Sequence, residues 1–251
     1  MKQIPNIFTL LNLVFGCLAI VAILQNGIVI STNEEGNQLL AVPEKIWMAS
    51  LFIAIAGIVD FLDGFIARLL KANSDMGKQL DSLADVVSFG VAPSLIVYQF
   101  LRLSIAKEED GLDASFIWLM PAFLIAAAGA YRLARFNIAT DQQYGFKGVP
   151  IPAVGLLIAS FPLIYWGNSN ETVLSIFTNK WVWYTVILLV SGLMISQIPM
   201  MAMKFKDRSI KNNLPKIILV LVAILAALIL HWIAVPVVFL VYIILSLLFK
   251  Q

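Results

Sequence analysis

DFLDGFIARLLKANSDMGKQLDSLAD, from Asp60 to Asp85, is the stretch whose reading decides the fold. It sets four aspartates, Asp60, Asp63, Asp81 and Asp85, within or beside hydrophobic runs. Carboxylates in membrane helices are costly and mark function. Asp60 and Asp63 are spaced i, i+3, and Asp81 and Asp85 i, i+4, so on helices each pair shares a face. Arg68, Lys71 and a short polar turn lie between them. The simplest folding is a helical hairpin whose two acidic faces meet. Four unpaired carboxylates would repel one another in a low-dielectric site, so a cation belongs among them, and a divalent metal is the simplest answer.

Composition places this hairpin in a membrane. The chain has 251 residues, 61% of them hydrophobic, with a mean hydropathy of +0.91. A soluble domain cannot hide that much apolar surface, so an all-α, polytopic transmembrane helical bundle is expected. The formal net charge of +2 gives no basic footprint, and no nucleic-acid partner is expected. Cys17 is the single cysteine, which excludes an internal disulfide framework and a thiolate metal site; it reads as a small buried hydrophobe. His231, the single histidine, closes a late hydrophobic run and reads as structural. Around Asn12 and Gly16 the first apolar run has no clear small-residue cleavage pattern, so no cleaved signal peptide is expected.

Eight candidate spans follow, roughly 7–30, 46–71, 81–104, 115–138, 149–167, 180–203, 214–231 and 234–249, the last two joined by a turn short enough for a re-entrant hairpin. With the N-terminus cytoplasmic, thirteen of the seventeen Lys and Arg fall inside: Lys2, Lys250 and the cations within 68–78, 132–147 and 204–216. Only Lys45, Arg102, Lys107 and Lys180 fall outside, so the positive-inside rule is obeyed loop by loop, with both termini cytoplasmic and the chain in the inner membrane. Acids at 34, 35, 44, 108–110, 113 and 171 lie outside. The inner loop 204–216 reads as a topology determinant with attraction for anionic headgroups. Pro150 and Pro152 suit a helix start, while Pro162 and Pro199 read as kinks.

Orientation also sets the depth of the acids. Asp63 lies eight residues before Lys71, about 12 Å below that helix end at ~1.5 Å per residue. Asp81 and Asp85 enter the next span just after the inner turn, so all four converge near the cytoplasmic headgroup boundary. That depth suits an enzyme whose substrate has its headgroup in water and its tails in oil. Oxygen-only ligands favour Mg²⁺ or Mn²⁺, and four carboxylates can hold two ions, the arrangement that clamps an in-line phosphoryl displacement. Gly57, Gly64 and Ala67 on or near the Asp60 face permit close approach of a helix or nucleotide, and Arg68 stands one turn beyond Gly64 to offer donors to a phosphate. An ion or proton pathway is the rival reading, although these acids cluster at one depth and are not spread across the bilayer.

Asp60-x-x-Asp63-Gly64-x-x-Ala67-Arg68, eight residues, then Gly77-x-x-x-Asp81-x-x-x-Asp85 resembles the complete motif of the CDP-alcohol phosphatidyltransferases, eight positions across 26 residues. The resemblance implies replacement of CMP on a CDP-linked lipid by an alcohol, in a six-helix membrane core that forms a homodimer. It further implies that Asp60, Asp63 and Asp81 are metal ligands, Asp60 and Asp81 touching both ions. Asp85 would bind the second ion and act as the catalytic base. Gly64, Arg68 and Ser74 would contact the CDP-lipid, with Ala67 and Gly77 allowing close approach. The opening Pro5-Asn6-Ile7-Phe8-Thr9 resembles the family's first segment, where Asn6 and Thr9 reach the pyrophosphate.

SLADVVSFGVAP (82–93), RLARFN (132–137) and FKGVPIP (146–152) resemble the membrane-embedded phosphatidylserine synthases. By that likeness the substrates are CDP-diacylglycerol and L-serine, among membrane lipids. Serine carries a carboxylate, which needs a cation. Arg132, Arg135 and Asn137, at the inner end of the fourth span, are the candidates, with topology anchoring the alternative for either arginine. The resemblance runs from about residue 5 to about 203, which divides the chain into a core, 1–203, and a basic loop with a C-terminal helical hairpin, 204–251. Within the same chemistry, glycerol 3-phosphate or an inositol phosphate remains an alternative acceptor.

Overall fold

The computed structural model describes residues 4–32, 38–70, 74–108, 111–138, 146–201 and 210–249. Lipid offers backbone groups no hydrogen-bond partner, so apolar runs of this length close their bonds internally as helices. In chain order these are α1 (Ile4–Gln25), α2 (Trp47–Leu69), α3 (Asp75–Asp85), α4 (Ala92–Ala106), α5 (Leu124–Ile138), α6 (Ile151–Gly167), α7 (Glu171–Phe177), α8 (Lys180–Ile195), α9 (Ile210–Leu230) and α10 (Ala234–Leu248). Two small antiparallel pairings interrupt them: β1 (Val29–Thr32) with β2 (Gln38–Ala41), and β3 (Phe146–Lys147) with β4 (Pro199–Met200). Among the described residues five helical stretches are long and apolar enough to cross a membrane, or six if α7 and α8, bent by 66°, form one span. The chain is a mostly all-α integral membrane protein.

Helix α1 packs along α2 and also meets α3 and the turn that follows it, while α6 backs α2 and α8 backs α5. The third span is the longest unbroken one of the core: α3, a π-helical turn at Val86–Val91 and α4 form one apolar stretch, Asp75–Ala106, of 32 residues. At ~1.5 Å per residue it is about 48 Å long, against a hydrocarbon core of about 30 Å. The excess of about 18 Å extends beyond the hydrocarbon at one end or both, and Asp81 lies within the first two turns of the stretch. Ser74 starts this stretch as N-cap, its Oγ accepting from the Gly77 amide at 3.0 Å.

All six tryptophans gather at the end of the bundle that carries the β1–β2 pairing: at the start of α2, ahead of α5, at the end of α6, at the start of α8 and at the α9–α10 tip. Five are exposed, as in an interfacial aromatic belt, and Trp183 is buried, stacked on Phe100 at 5.2 Å. The acidic hairpin turn and the cations of α5 lie at the opposite end.

Several expectations change. The first helix ends at Gln25, and β1 occupies the stretch beyond it. Pro199 does not kink a sixth helix: α8 stops at Ile195, and Pro199 pairs with Lys147 in β4. Pro162 does lie inside α6, and Pro150 and Pro152 do open it. Cys17 is exposed on α1, because the buried face of that helix is taken by Asn12, Gly16 and Ala19. The 213–248 stretch turns at His231, which adopts φ +50°, so α9 and α10 fold back and pack on each other. Lys2, Lys71, Lys250 and residues 204–209 of the basic loop lie outside the described residues, and the rest of that loop, 210–216, is the start of α9.

Gly16 is where α1 presses on the π-helical turn: a Cβ there would come within 2.9 Å of the Ser88 Cα. Gly16→Val is expected to lower stability by about 1–3 kcal/mol through overpacking. Gly192→Ala, where an added Cβ meets nothing within 4 Å, should leave the Tm in detergent unchanged or slightly raised. Thermal unfolding of the two variants beside the parent checks both.

Candidate active site

Asp60 and Asp63 project from α2 and Asp81 from α3, and one carboxylate oxygen of each lies within 4.8 Å of the other two. Asp63 is buried, and its Oδ2 accepts from Thr9 Oγ1 of α1 at 2.8 Å. Asp60 and Asp81 face each other from the two arms of the hairpin, with carboxylate oxygens within 4.8 Å. Such a cluster fits a divalent ion: ligand distances of ~2.1–2.4 Å set opposite oxygens ~4.2–4.8 Å apart. The donors are all hard oxygens, the set that suits Mg²⁺ or Mn²⁺.

Asp85 stands outside this group of three. Four residues along α3 set Asp85 about 6 Å from Asp81 along the helix axis, and it stays within electrostatic reach of Asp60, Asp81 and Asp63. Asp85 is buried and accepts from Asn12 Nδ2 at 3.3 Å. The π-helical turn begins at the next residue, and Ser88 within it donates to the Asn12 carbonyl at 3.0 Å. Wide turns of this kind recur at functional sites.

Two adjoining cavities flank the acids. The larger, about 730 Å³, is lined by Asn6, Thr9, Asp63, Gly64, Ala67, Arg68, Ser74, Gly77, Lys78, Asp81 and Phe136, among others. The smaller, about 200 Å³, is lined by Lys78, Asp81, Ser82, Asp85, Arg132, Leu133, Phe136, Asn137, Pro150 and Pro152. Lys78, Asp81 and Phe136 are common to both and form the wall between them. All seven residues expected around a CDP-lipid thus line one cavity. Two glycines permit its shape: the Arg68 guanidinium lies 3.5 Å from where a Gly64 Cβ would stand, and a Gly77 Cβ would come within 3.1 Å of the Asn6 amide oxygen.

Of the three residues expected around an acceptor, Arg132 and Asn137 line the smaller cavity and Arg135 does not. Arg135 donates to the carbonyls of Ile195 and Ser196, each at 2.9 Å, and of Lys147 at 3.5 Å. It thereby satisfies the C-terminal carbonyls of α8 and ties that helix end to β3. Arg132 is 5% exposed, and its Nε has no hydrogen-bond partner among the described residues. A buried donor of this kind is open to an acceptor from a ligand or a water. Asn137 donates from Nδ2 to Ser82 Oγ at 2.7 Å, and its carbonyl accepts from Lys78 Nζ at 3.1 Å, pinning the end of α5 to α3.

Asn12 is the residue the sequence reading missed. Its signal is present: a polar side chain in an apolar run, three residues after Thr9 and so on the same face of α1.

Residues 2–178 match the CDP-alcohol phosphatidyltransferase family. The chain is 34% identical over 165 residues to a Bacillus subtilis protein named CDP-diacylglycerol–serine O-phosphatidyltransferase, covering 66% of this chain and 78% of that one. A Helicobacter pylori protein of the same name is 36% identical over 183 residues, 70% of this chain and 68% of that one. An archaetidylserine synthase of Methanothermobacter thermautotrophicus is 35% identical over 127 residues, half of each chain.

The acid cluster gives a direct test. Titrated with Mn²⁺, Asp81→Asn is expected to bind at least about tenfold more weakly than the parent, ~1.4 kcal/mol. Arg135→Gln should bind Mn²⁺ as the parent does, because its contacts are all to carbonyls away from the acids.

Proposed function

The chain belongs to the CDP-alcohol phosphatidyltransferase family, and from that premise we propose that it transfers the phosphatidyl group of CDP-diacylglycerol to the hydroxyl of L-serine, releasing CMP. The observation that carries the reading is the pair of cavities meeting at Asp81: a large one walled by the family motif, and a small one with a buried arginine and a buried carboxylate. The names of the relatives in Bacillus, Helicobacter and Methanothermobacter support serine as acceptor, since their lipid parts differ and serine is common to them.

In this reading the larger cavity holds the CDP-lipid. Arg68 offers its donor fork to the pyrophosphate, Asn6, Thr9 and Ser74 add neutral donors, and Gly64, Ala67 and Gly77 let the nucleotide approach the backbone. Serine enters the smaller cavity with its carboxylate on the Arg132 guanidinium, whose burial leaves that charge in need of a partner. Its hydroxyl then faces Asp85. As the serine oxygen bonds to the phosphorus attached to diacylglycerol, Asp85 takes the hydroxyl proton. The bond from that phosphorus to the bridging oxygen breaks, and CMP leaves with the electron pair. Asp60, Asp63 and Asp81 would hold Mg²⁺ or Mn²⁺, with Asp85 on the second of two ions, and the metal supplies neutralisation of pyrophosphate charge. Asn12 keeps Asp85 aimed at the smaller cavity.

Several features beyond the site belong to the same proposal. Both termini and the site lie on the cytoplasmic side of the inner membrane, supported by the cation asymmetry and by the tryptophans at the opposite end. The chain acts as a homodimer, with residues 1–203 as its catalytic core. Arg132 is the one arginine at the acceptor cavity, and Lys78 beside it is engaged by the Asn137 carbonyl; that suits a carboxylate better than the dianionic phosphate of glycerol 3-phosphate or inositol phosphate, which asks for a denser basic pocket.

The deciding experiment is an acceptor panel with purified protein, CDP-diacylglycerol and Mn²⁺ or Mg²⁺. Radiolabelled serine should enter lipid only when the liponucleotide is supplied. Preference for a phosphorylated acceptor would overturn the assignment, and ion uptake into proteoliposomes without lipid product would indicate transport. Asp85→Asn should abolish turnover while leaving CDP-lipid binding largely intact; equal losses would make Asp85 a ligand only. Asn12→Leu should lower kcat about 10–100-fold, the range seen when a group orienting a site carboxylate is removed.

A further inference from the structure

Two helices furnish the smaller cavity. Ser82 and Asp85, three residues apart, share a face of α3, while Arg132 and Asn137 come from α5. In the serine reading Arg132 takes the acceptor's carboxylate and Asp85 takes its hydroxyl proton. An amino acid brings a third group, its ammonium, and an ammonium drawn out of water needs an acceptor. That group has no partner in the mechanism so far.

The hydrogen bonds around Asn137 supply one. Ser82 Oγ carries a single proton, which it donates to the Lys78 carbonyl at 3.1 Å. Toward Asn137 the same oxygen can therefore only accept, and it does so from Nδ2 at 2.7 Å. This fixes the amide: its NH2 faces Ser82, and Oδ1 is left as the open acceptor end. Among the described residues nothing donates to that oxygen. Asn137 is only half-buried where it lines the cavity, so Oδ1 is not sealed in the core. The setting also favours a cation. Asn137 is in the last turn of α5, at the negative pole of the helix. Its backbone carbonyl already draws Lys78 Nζ, at 3.1 Å, which leaves the side-chain oxygen to a ligand.

We infer that Asn137, held in one orientation by Ser82, accepts from the ammonium of the acceptor and so determines specificity for an amino acid. The inference rests on the serine reading proposed above. With the carboxylate on Arg132, the ammonium on Asn137 and the hydroxyl toward Asp85, the acceptor is held at three points around its α-carbon. Three fixed points distinguish mirror images, and D-serine satisfies only two of them at once. A hydroxy acid without the ammonium leaves Oδ1 unpaired. Ser82 is a positioning residue here: it acts through the amide.

The test compares L-serine with 3-hydroxypropanoate, the same molecule without its ammonium, on the full-length protein with CDP-diacylglycerol. The parent should prefer L-serine in kcat/KM by at least about tenfold, the worth of one hydrogen bond to a charged group. Asn137→Leu removes the oxygen. It should lower kcat/KM for L-serine about 10–100-fold, with 3-hydroxypropanoate and the KM for CDP-diacylglycerol within about threefold of the parent. Ser82→Ala leaves the amide free to turn and keeps the α5 side chains intact. It should raise the L-serine KM about 3–10-fold with the same selectivity, and it carries the test alone if Asn137→Leu does not fold. The preference for L- over D-serine should shrink in both variants. Where 3-hydroxypropanoate turns over too slowly, its inhibition constant against L-serine takes the place of kcat/KM. A parent indifferent to the ammonium, equal losses for the two acceptors, or an L-serine KM unchanged in both variants would overturn the inference. Failure of the parent protein to use serine at all would instead overturn the serine reading.

Discussion

Carboxylates held among apolar helices are the constraint on which the rest of this molecule depends. Three carboxylates whose oxygens lie within 4.8 Å of one another, with a fourth a turn away, are tolerable only if every neighbouring element serves them. Helix α1 does so most plainly. Its buried face carries Thr9 for Asp63 and Asn12 for Asp85, one donor for each arm of the acidic hairpin, at the spacing that a single helix face allows. Gly16, further along the same face, lets the two helices come close enough for those short side chains to reach. The cations Arg68, Lys78 and Arg132 line the cavities, and the three clustered carboxylates could hold a metal ion.

The same constraint explains the local irregularities. A third span of 32 residues is longer than the hydrocarbon layer requires, and Asp81 lies within its first two turns. Its π-helical turn follows Asp85 directly and supplies Ser88 to anchor Asn12. At the far side of the site, Arg135 and the β3–β4 pairing make a rigid floor from what would otherwise be two loose connections. Two arginines one turn apart are thereby treated differently: Arg135 is consumed by carbonyls, and Arg132 is buried with its Nε unpartnered among the described residues.

Much of this was legible from residues alone. The motif from Asp60 to Asp85 announces its chemistry, and the residues expected around the liponucleotide do share one cavity. Helix starts at Pro150 and Pro152 were readable because proline there is a local rule. Pro199 misled for the complementary reason: proline both kinks helices and terminates them, and only the pairing of Pro199 with Lys147 decides which. Cys17 misled because an apolar run has no visible inside until its neighbours are placed.

Local rules, then, determined what the chain is: a membrane bundle with a metal-ready acidic hairpin, because hydropathy, charge asymmetry and i, i+3 and i, i+4 spacing act within a single segment. Tertiary structure decided who meets whom. Asn12 with Asp85 is 73 residues apart in the chain, and Arg135 with Ser196 is 61. Such pairs are set by how helices cross and where a π turn shifts the register, and those are properties of packed neighbours that no one segment encodes.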